Sequence, residues 1–354
     1  MPARHRLGNL HLVLLSDGQY YQDAGAVFGI VPKVMWERLG IPLNERHQMA
    51  LGLNSLLLRS QGKTVLIETG VGEKERPRAQ STPLGEGNLL DELRAVDVAP
   101  EEVDVVVNTH LHADHCGWNT RRGADGAWVP TFPRARYLIQ RGEWDAATHP
   151  NERTRATYLP ENMLPLEQAG RLELIDGETR ITDEITIIPT HGHTADHASV
   201  QLASGGERAI YLGDMVQHPV QLERAAWVSS FDIYPLEAME TKKAVVARAI
   251  AERQLVVAVH CPFPGLGYMS EDGDGRRHWT PVEAEGDERR QQTADNRQQT
   301  TDNRRQTADG RQQTADSRRQ TADGRRPHAS NEESRWPRFA SRRRCASSRT
   351  IRTW

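Results

Sequence analysis

Short apolar runs recur along most of the chain, and their period separates strands from helices. Residues 10–15 (LHLVLL) predict a first strand ending at the turn Ser16-Asp17-Gly18. Residues 55–59 and 64–68 flank Gln61-Gly62-Lys63 as the two arms of a hairpin. Further apolar runs predict strands over 103–108, 135–140, 171–175, 185–189, 199–202, 208–212 and 255–259. Helical spacing marks 88–98, where Leu89, Leu90, Leu93 and Val96 share a side, and also 142–148 and 236–253. Residues 19–54 show no such period and read as a long irregular insertion, a lid or an interface element. Strands outnumber helices early and alternate with them later, which predicts two sheets sandwiched between helices.

The pattern stops near residue 285. From 286 onward Leu, Ile, Val and Phe almost vanish, and near-identical seven-residue units run from 291 to 325 (QQTADNR, QQTTDNR, RQTADGR). No position in the unit is apolar enough for a coiled-coil seam, so a folded domain over 1–285 and a disordered low-complexity tail over 286–354 are expected. Residues 287–354 carry 17 Arg against 9 Asp or Glu, so with a net charge of −3 the preceding part stands at −11. An acidic folded part argues against a polyanionic substrate. In the tail Arg alternates with Asp without interleaved aromatics, which favours a solvated linker over a nucleic-acid-binding arm. Three cysteines, Cys116, Cys261 and Cys345, are too few for a disulfide framework. With no run of some 18 apolar residues and no signal-type segment at the start, a cytoplasmic location without membrane partners is expected.

The chemistry is concentrated in Thr109-His110-Leu111-His112-Ala113-Asp114-His115-Cys116-Gly117, directly after the strand-like run at 103–108. Imidazole and carboxylate suit zinc and its divalent neighbours, and His-x-His spacing lets two rings point the same way from an extended segment. Asp114 and His115 follow the start of the turn and can face a second ion. Other ligand-type residues also follow apolar runs: His191-Gly192-His193 after 185–189, Gly213-Asp214 after 208–212, and His260 after 255–259. Ligands delivered at strand tips from several places in the chain are the mark of one assembled site.

The ordered set His-x-His-x-Asp-His, Gly-His-Thr, Gly-Asp and a late His after a strand resembles the metallo-β-lactamase superfamily, over residues 10–285. The resemblance implies an αββα sandwich: two mixed β-sheets flanked by helices, with the site at the edge where the sheets meet. It also implies His110, His112 and His193 around a first divalent ion, Asp114, His115 and His260 around a second, and Asp214 bridging them. Zn²⁺ suits these donors, with Mn²⁺, Fe²⁺ and Co²⁺ close behind. The stretch 259–267, followed by 279–282, is similar to the end of methyl-parathion-hydrolase-like enzymes; 28–36 is similar to that branch and to acyl-homoserine-lactone hydrolases. Two departures stand out: Glu68 in Ile-Glu-Thr-Gly, where Asp is common, and His191 before Gly-His, where Pro is common.

The implied activity is hydrolysis of a lactone, ester or related bond of a small molecule by a metal-bridging hydroxide. Asp214 then bridges the ions, Asp114 ligates and orients the nucleophile, and phosphotriester cleavage can accompany the reaction. Glyoxalase-II-like thioester hydrolysis is one alternative. Iron-dependent, persulfide-dioxygenase-like redox chemistry is another; oxygen-reducing diiron relatives typically carry Glu in place of the second His, and His112 argues against them. A homodimer stays open. Glu68 reads either as a partner behind a ligand His or as a capping carboxylate, His191 as a loop residue bonded to backbone, and His197 as packing behind the site. Cys116 and Cys261 read as buried packing. Phe28, Trp36, Trp118, Trp227, Phe231, Tyr234, Phe263 and Tyr268 are candidates for an aromatic substrate wall.

Overall fold

The apolar runs pair into two seven-stranded sheets in the computed structural model, which describes residues 1–74 and 88–283. The chain divides into two units, Met1–Thr293 and Ala294–Trp354, and all described residues lie in the first. The expected boundary near 285 and the expected disorder of the 286–354 tail lie outside the described residues.

In chain order the strands are β1 (Ala3–Leu7), β2 (Leu10–Asp23), β3 (Gln48–Ser60), β4 (Lys63–Ile67), β5 (Val105–Val107), β6 (Thr120–Arg122), β7 (Trp128–Pro130), β8 (Arg136–Gln140), β9 (Leu172–Ile175), β10 (Thr179–Thr182), β11 (Ile185–Pro189), β12 (Ala198–Ser204), β13 (Glu207–Tyr211), β14 (Leu255–Val257), β15 (Leu266–Glu271) and β16 (Arg277–Pro281). One sheet has the order β1-β2-β3-β4-β5-β8-β9 and the other runs β10 through β16, while β6 and β7 form a separate ribbon. Both sheets are mixed: β4, β5, β8 and β9 run parallel, as do β13 and β14, and the other neighbours are antiparallel.

The inner faces of both sheets meet in one core, where Leu12, Leu56, Val65 and Val105 pack with Ile187, Val200, Tyr211 and Val257. Each outer face is covered by helix. Leu89 and Leu93 cover the first sheet, and Val245, Val246 and Ala249 cover the second. The helix Pro235–Ala251 places Ala238, Lys242, Val245, Val246 and Ala249 along one buried stripe, and Pro235 occupies its first turn, where a missing N–H costs nothing. The layers are therefore αββα.

Residues 19–54 are not the irregular insertion expected from their lack of period. β2 and β3 extend into both ends of that segment, and β2 passes through Ser16-Asp17-Gly18 instead of turning there. The register moves by one residue between the pairs Ser16↔Asn54 and Gln19↔Gly52, a bulge in which Gly18 takes φ 101°. The bulge buries Asp17, whose Oδ2 accepts from the Val71 and Gly72 N–H and whose Oδ1 accepts from Leu89 N–H and Trp118 Nε1–H. That carboxylate ties together the segments that lead into the His-rich loop. Between β2 and β3, Phe28 stacks on Trp36 with centroids 5.5 Å apart and meets Trp227 edge-on at 5.7 Å. Among the described residues no helix is long and apolar enough to cross a membrane.

Candidate metal centre

Each sequence-predicted site residue follows the end of a strand, and all seven converge. His110, His112, Asp114 and His115 follow β5 of the first sheet; His193, Asp214 and His260 follow β11, β13 and β14 of the second. Two of these positions depend on the preceding glycine. A Cβ on Gly192, at φ +134°, would lie 2.3 Å from the Ala238 backbone; one on Gly213, at φ +60°, would lie 2.6 Å from His197 Nε2. The Gly-His and Gly-Asp pairs are thus steric requirements of the site.

Asp214 is central. Its Oδ2 is 3.2 Å from His193 Nε2 and 4.0 Å from His110 Nε2, whereas its Oδ1 is 2.7 Å from His260 Nε2 and 3.2 Å from His115 Nε2. His112 Nδ1 is 3.0 Å from His193 Nε2, and Asp114 Oδ2 is 3.6 Å from both His115 Nε2 and His260 Nε2. The donors therefore form two groups, His110, His112, His193 with Asp214, and Asp114, His115, His260, with ligand atoms within 4.8 Å inside each group. A third overlapping group joins Glu68 to His110 and His115.

The donor set fits divalent cations. His110 Nε2, His115 Nε2, His260 Nε2 and Asp214 Oδ1 are buried and make no hydrogen bond among the described residues, an arrangement costly to leave unsatisfied. Burial and the neighbouring His115, His112 and His193 push the His110 pKa well below its ordinary value; burial and His193 bring His112 to about 3. Burial alone would raise Asp214, but His260, His115 and His193 outweigh it and hold the carboxyl well below the usual range. Neutral imidazoles and an ionised carboxylate are the forms a metal ion takes up. Burial works against charge on His115 and His193 as well, yet Asp214 and the other nearby carboxylates prevail and raise both.

Ring orientation is fixed from behind. His193 Nδ1 lies 2.8 Å from Asp232 Oδ1, His260 Nδ1 donates to Gly52 O at 2.8 Å, and His110 Nδ1 is 3.1 Å from Thr109 Oγ1. Glu68 Oε1 accepts from Thr109 N–H at 2.8 Å, the capping role considered for it, whereas Oε2 lies 3.5 Å from His115 Nδ1 without a hydrogen bond to it. Glu143 accepts from Leu111 N–H, between the first two histidines, and from Tyr158 Oη–H. As expected, His197 sits behind the site, accepting from Asp214 N–H through Nε2, while exposed His191 bonds through Nδ1 to Ala195 O. Burial raises both thiols, Cys261 to about 12 and Cys116 further, so neither is a ready nucleophile.

In front of the donors lies a cleft of about 340 Å³, walled by Tyr20, Gln22, Arg153, Thr157, Gln217 and Phe231 among others. Of the eight aromatic candidates, Phe231 lines it. Phe28, Trp36 and Trp227 pack together in a core, Trp118 packs beneath the first sheet, and Tyr234 and Tyr268 are exposed. Three positions at the site escaped the sequence reading. Tyr20 donates to Asp114 Oδ2 at 2.6 Å, Asp232 holds His193, and Arg153 reaches the cleft from the 151–157 segment. Burial and the Asp114 and Asp214 carboxylates keep the Tyr20 phenol protonated.

Comparison with known proteins agrees with this architecture. The family model for the metallo-beta-lactamase superfamily matches residues 50–260. An N-acyl homoserine lactonase of Bacillus cereus is 27% identical over 156 residues, covering 41% of this chain and 55% of its own length. Another, of a Bacillus species, is 30% identical over 115 residues, covering 32% and 39%. The match thus spans about half or less of these curated relatives. Among solved structures, a probable metal-dependent hydrolase from Staphylococcus aureus superposes with a TM-score of 0.70 at 23% identity, over 79% of this chain and 99% of its own. AidC, a dizinc quorum-quenching lactonase, superposes with a TM-score of 0.64 at 21% identity, over 80% and 97%. At these identities the structural likeness concerns the fold.

Proposed function

The chain belongs to the metallo-beta-lactamase superfamily, and from that premise we propose that it is a hydrolase dependent on two divalent metal ions, acting on a lactone or related ester of a small molecule. His110, His112 and His193 would hold one ion, Asp114, His115 and His260 the other, with Asp214 shared. Nitrogen and oxygen donors without thiolate favour Zn²⁺, with Mn²⁺, Fe²⁺ and Co²⁺ as neighbours in preference. A bound pair of this kind supplies Lewis acidity and lowers the pKa of a water toward neutrality.

The protein's own residues supply orientation. Asp232 and Gly52 O fix the Nδ1 proton of His193 and His260, so that Nε2 of each ring is presented as a lone pair. Tyr20 holds Asp114 Oδ2 at the cleft wall, where the carboxylate and the phenol face an incoming substrate together. Burial of the histidines keeps bulk water from competing for the donors.

One observation carries the reading: Asp214 turns Oδ2 toward His193 and Oδ1 toward His260, so a single carboxylate spans both groups of histidines. The lactonase relatives bring the lactone into the proposal. It is tested by loading the chain with Zn²⁺, Mn²⁺, Fe²⁺ or Co²⁺, measuring metal content, and assaying acyl-homoserine lactones, aryl esters, phosphotriesters and glutathione thioesters. Two equivalents of metal with lactone or ester turnover are expected. A preference for the thioester, or oxygen consumption with persulfide on bound iron, would replace the reading.

A further inference from the structure

The cleft carries a cation that the hydrolase reading leaves without a task. Arg153 lines it together with His112, Asp114, His193 and Asp214, and its Nη2 donates to Ser230 O at 2.8 Å and to Asp232 O at 3.1 Å. Both acceptors are backbone carbonyls, so they fix the guanidinium without neutralising it. The carboxylates nearby are engaged elsewhere. Asp114 faces Tyr20, His115 and His260; Asp214 faces the four histidines around it; the Asp232 side chain takes His193 and the Ser229 N–H. Among the described residues Arg153 makes no ion pair, and its Nε and Nη1 donors have no protein acceptor. A residue serving only to staple the 151–157 segment to the 229–233 loop would need no charge facing the cleft.

The rest of the wall points the same way. Gln22, Thr154, Thr157, Gln217 and Ser230 are polar, and of the lining side chains Phe231 and Ile233 are apolar without a polar handle. Side chains able to hydrogen-bond thus line the same cleft of about 340 Å³ as the guanidinium, and a polar substrate group entering beside Arg153 has partners there. We infer that Arg153 receives a carboxylate carried by the substrate, so that the lactone or ester accepted is an acidic one. The inference rests on the hydrolase reading of the same cleft. It adds a determinant of specificity: a fixed guanidinium gives a charge-assisted hydrogen bond to an anion that a neutral analogue cannot form.

The test uses the metal-loaded full chain and a matched pair, N-succinyl- and N-butanoyl-homoserine lactone, which differ by a terminal carboxylate. Wild type should prefer the succinyl compound in kcat/KM. In Arg153→Gln that preference should fall by roughly tenfold to a hundredfold, while the neutral lactone changes by less than about threefold; Arg153→Lys should recover part of it. Equal losses on both substrates would make Arg153 a structural staple and overturn the inference, as would a preference that survives Arg153→Gln. Calorimetric binding of the corresponding N-succinyl and N-butanoyl lactams, whose ring amide resists hydrolysis, separates this question from turnover. If neither lactone is hydrolysed, the lactonase reading fails, and the lactams still decide. Tighter binding of the succinyl lactam that is lost in Arg153→Gln upholds the role of Arg153, and equal affinities refute it.

Discussion

Asp232 Oδ1 lies 2.8 Å from His193 Nδ1, and both side chains are buried. Asp232 also accepts the Ser229 N–H through Oδ2, so the loop that supplies Phe231 and Ile233 to the cleft is tied to one of the proposed metal ligands. Substitution Asp232→Asn keeps an acceptor in place but removes the charge that makes the imidazole a stronger donor to metal. Metal affinity should fall about tenfold to a hundredfold. Competition with a chromophoric chelator at fixed pH measures this, and an unchanged affinity would show that Asp232 serves only to shape the loop.

Tyr20 and Asp114 make the short bond at the cleft wall, 2.6 Å from Oη to Oδ2. Tyr20→Phe preserves the ring, which meets His260 edge-on at 5.6 Å, and deletes the hydrogen bond alone. Since Asp114 has other partners, two metal ions should still bind. A carboxylate freed from a charge-assisted bond is less well aimed, so kcat should drop about tenfold with KM little changed. Elemental analysis beside steady-state kinetics separates this outcome from simple metal loss.

Chelation should destabilise the fold as well as abolish turnover. Buried His110 Nε2, His115 Nε2, His260 Nε2 and Asp214 Oδ1 have no hydrogen-bond partner among the described residues, so metal binds the folded chain far better than the unfolded one. At a free metal concentration about a hundred times the dissociation constant, that linkage amounts to about 2.7 kcal/mol. Thermal unfolding with and without a chelator should show the difference. Asp214→Ala should abolish it, losing metal and activity together while the far-ultraviolet circular dichroism stays native; retained turnover at normal metal content would sink the shared-carboxylate reading.

Much of this site was legible because its ligands follow apolar strands whose period survives in the sequence. Val105–Val107, Ile185–Pro189, Glu207–Tyr211 and Leu255–Val257 are each a strand, and each is followed within a few residues by a donor. What surrounds the donors was harder to read. Tyr20 was hidden because Ser16-Asp17-Gly18 has the composition of a turn, whereas buried Asp17 gathers four N–H groups and bends β2 into a bulge that lets the strand continue to Tyr20. Asp232 and Arg153 sit in loops with no period, and their roles depend on hydrogen bonds across 39 and 79 positions of chain. Of the aromatic candidates Phe231 does line the cleft, whereas Phe28, Trp36 and Trp227 satisfy one another in a small core before any substrate can use them. β15 and β16 went unread because Gly267, Tyr268 and exposed charges interrupt their alternation, although they complete the second sheet.

A buried amine supports the chain that leads from Trp227 to Asp232. Lys242, 2% exposed on the buried stripe of Pro235–Ala251, donates from Nζ to Trp227 O at 2.6 Å, and burial lowers its pKa to about 8 despite the attraction of Asp232. In the unfolded chain the amine titrates near 10.4. Between these values the unfolded state binds more protons than the folded one, so this group makes stability rise with pH across that window; below about pH 8 its contribution is constant. Lys242→Met removes the titration while keeping an apolar stem of similar length. The bare Trp227 carbonyl imposes a cost that does not vary with pH. Unfolding free energy measured in denaturant from about pH 8 to 9.5 should therefore climb less steeply in Lys242→Met than in wild type, by up to about 1.4 kcal/mol per pH unit. Parallel slopes would mean that Lys242 keeps its proton, in which case the ammonium and Asp232 form a working charge pair beneath His193.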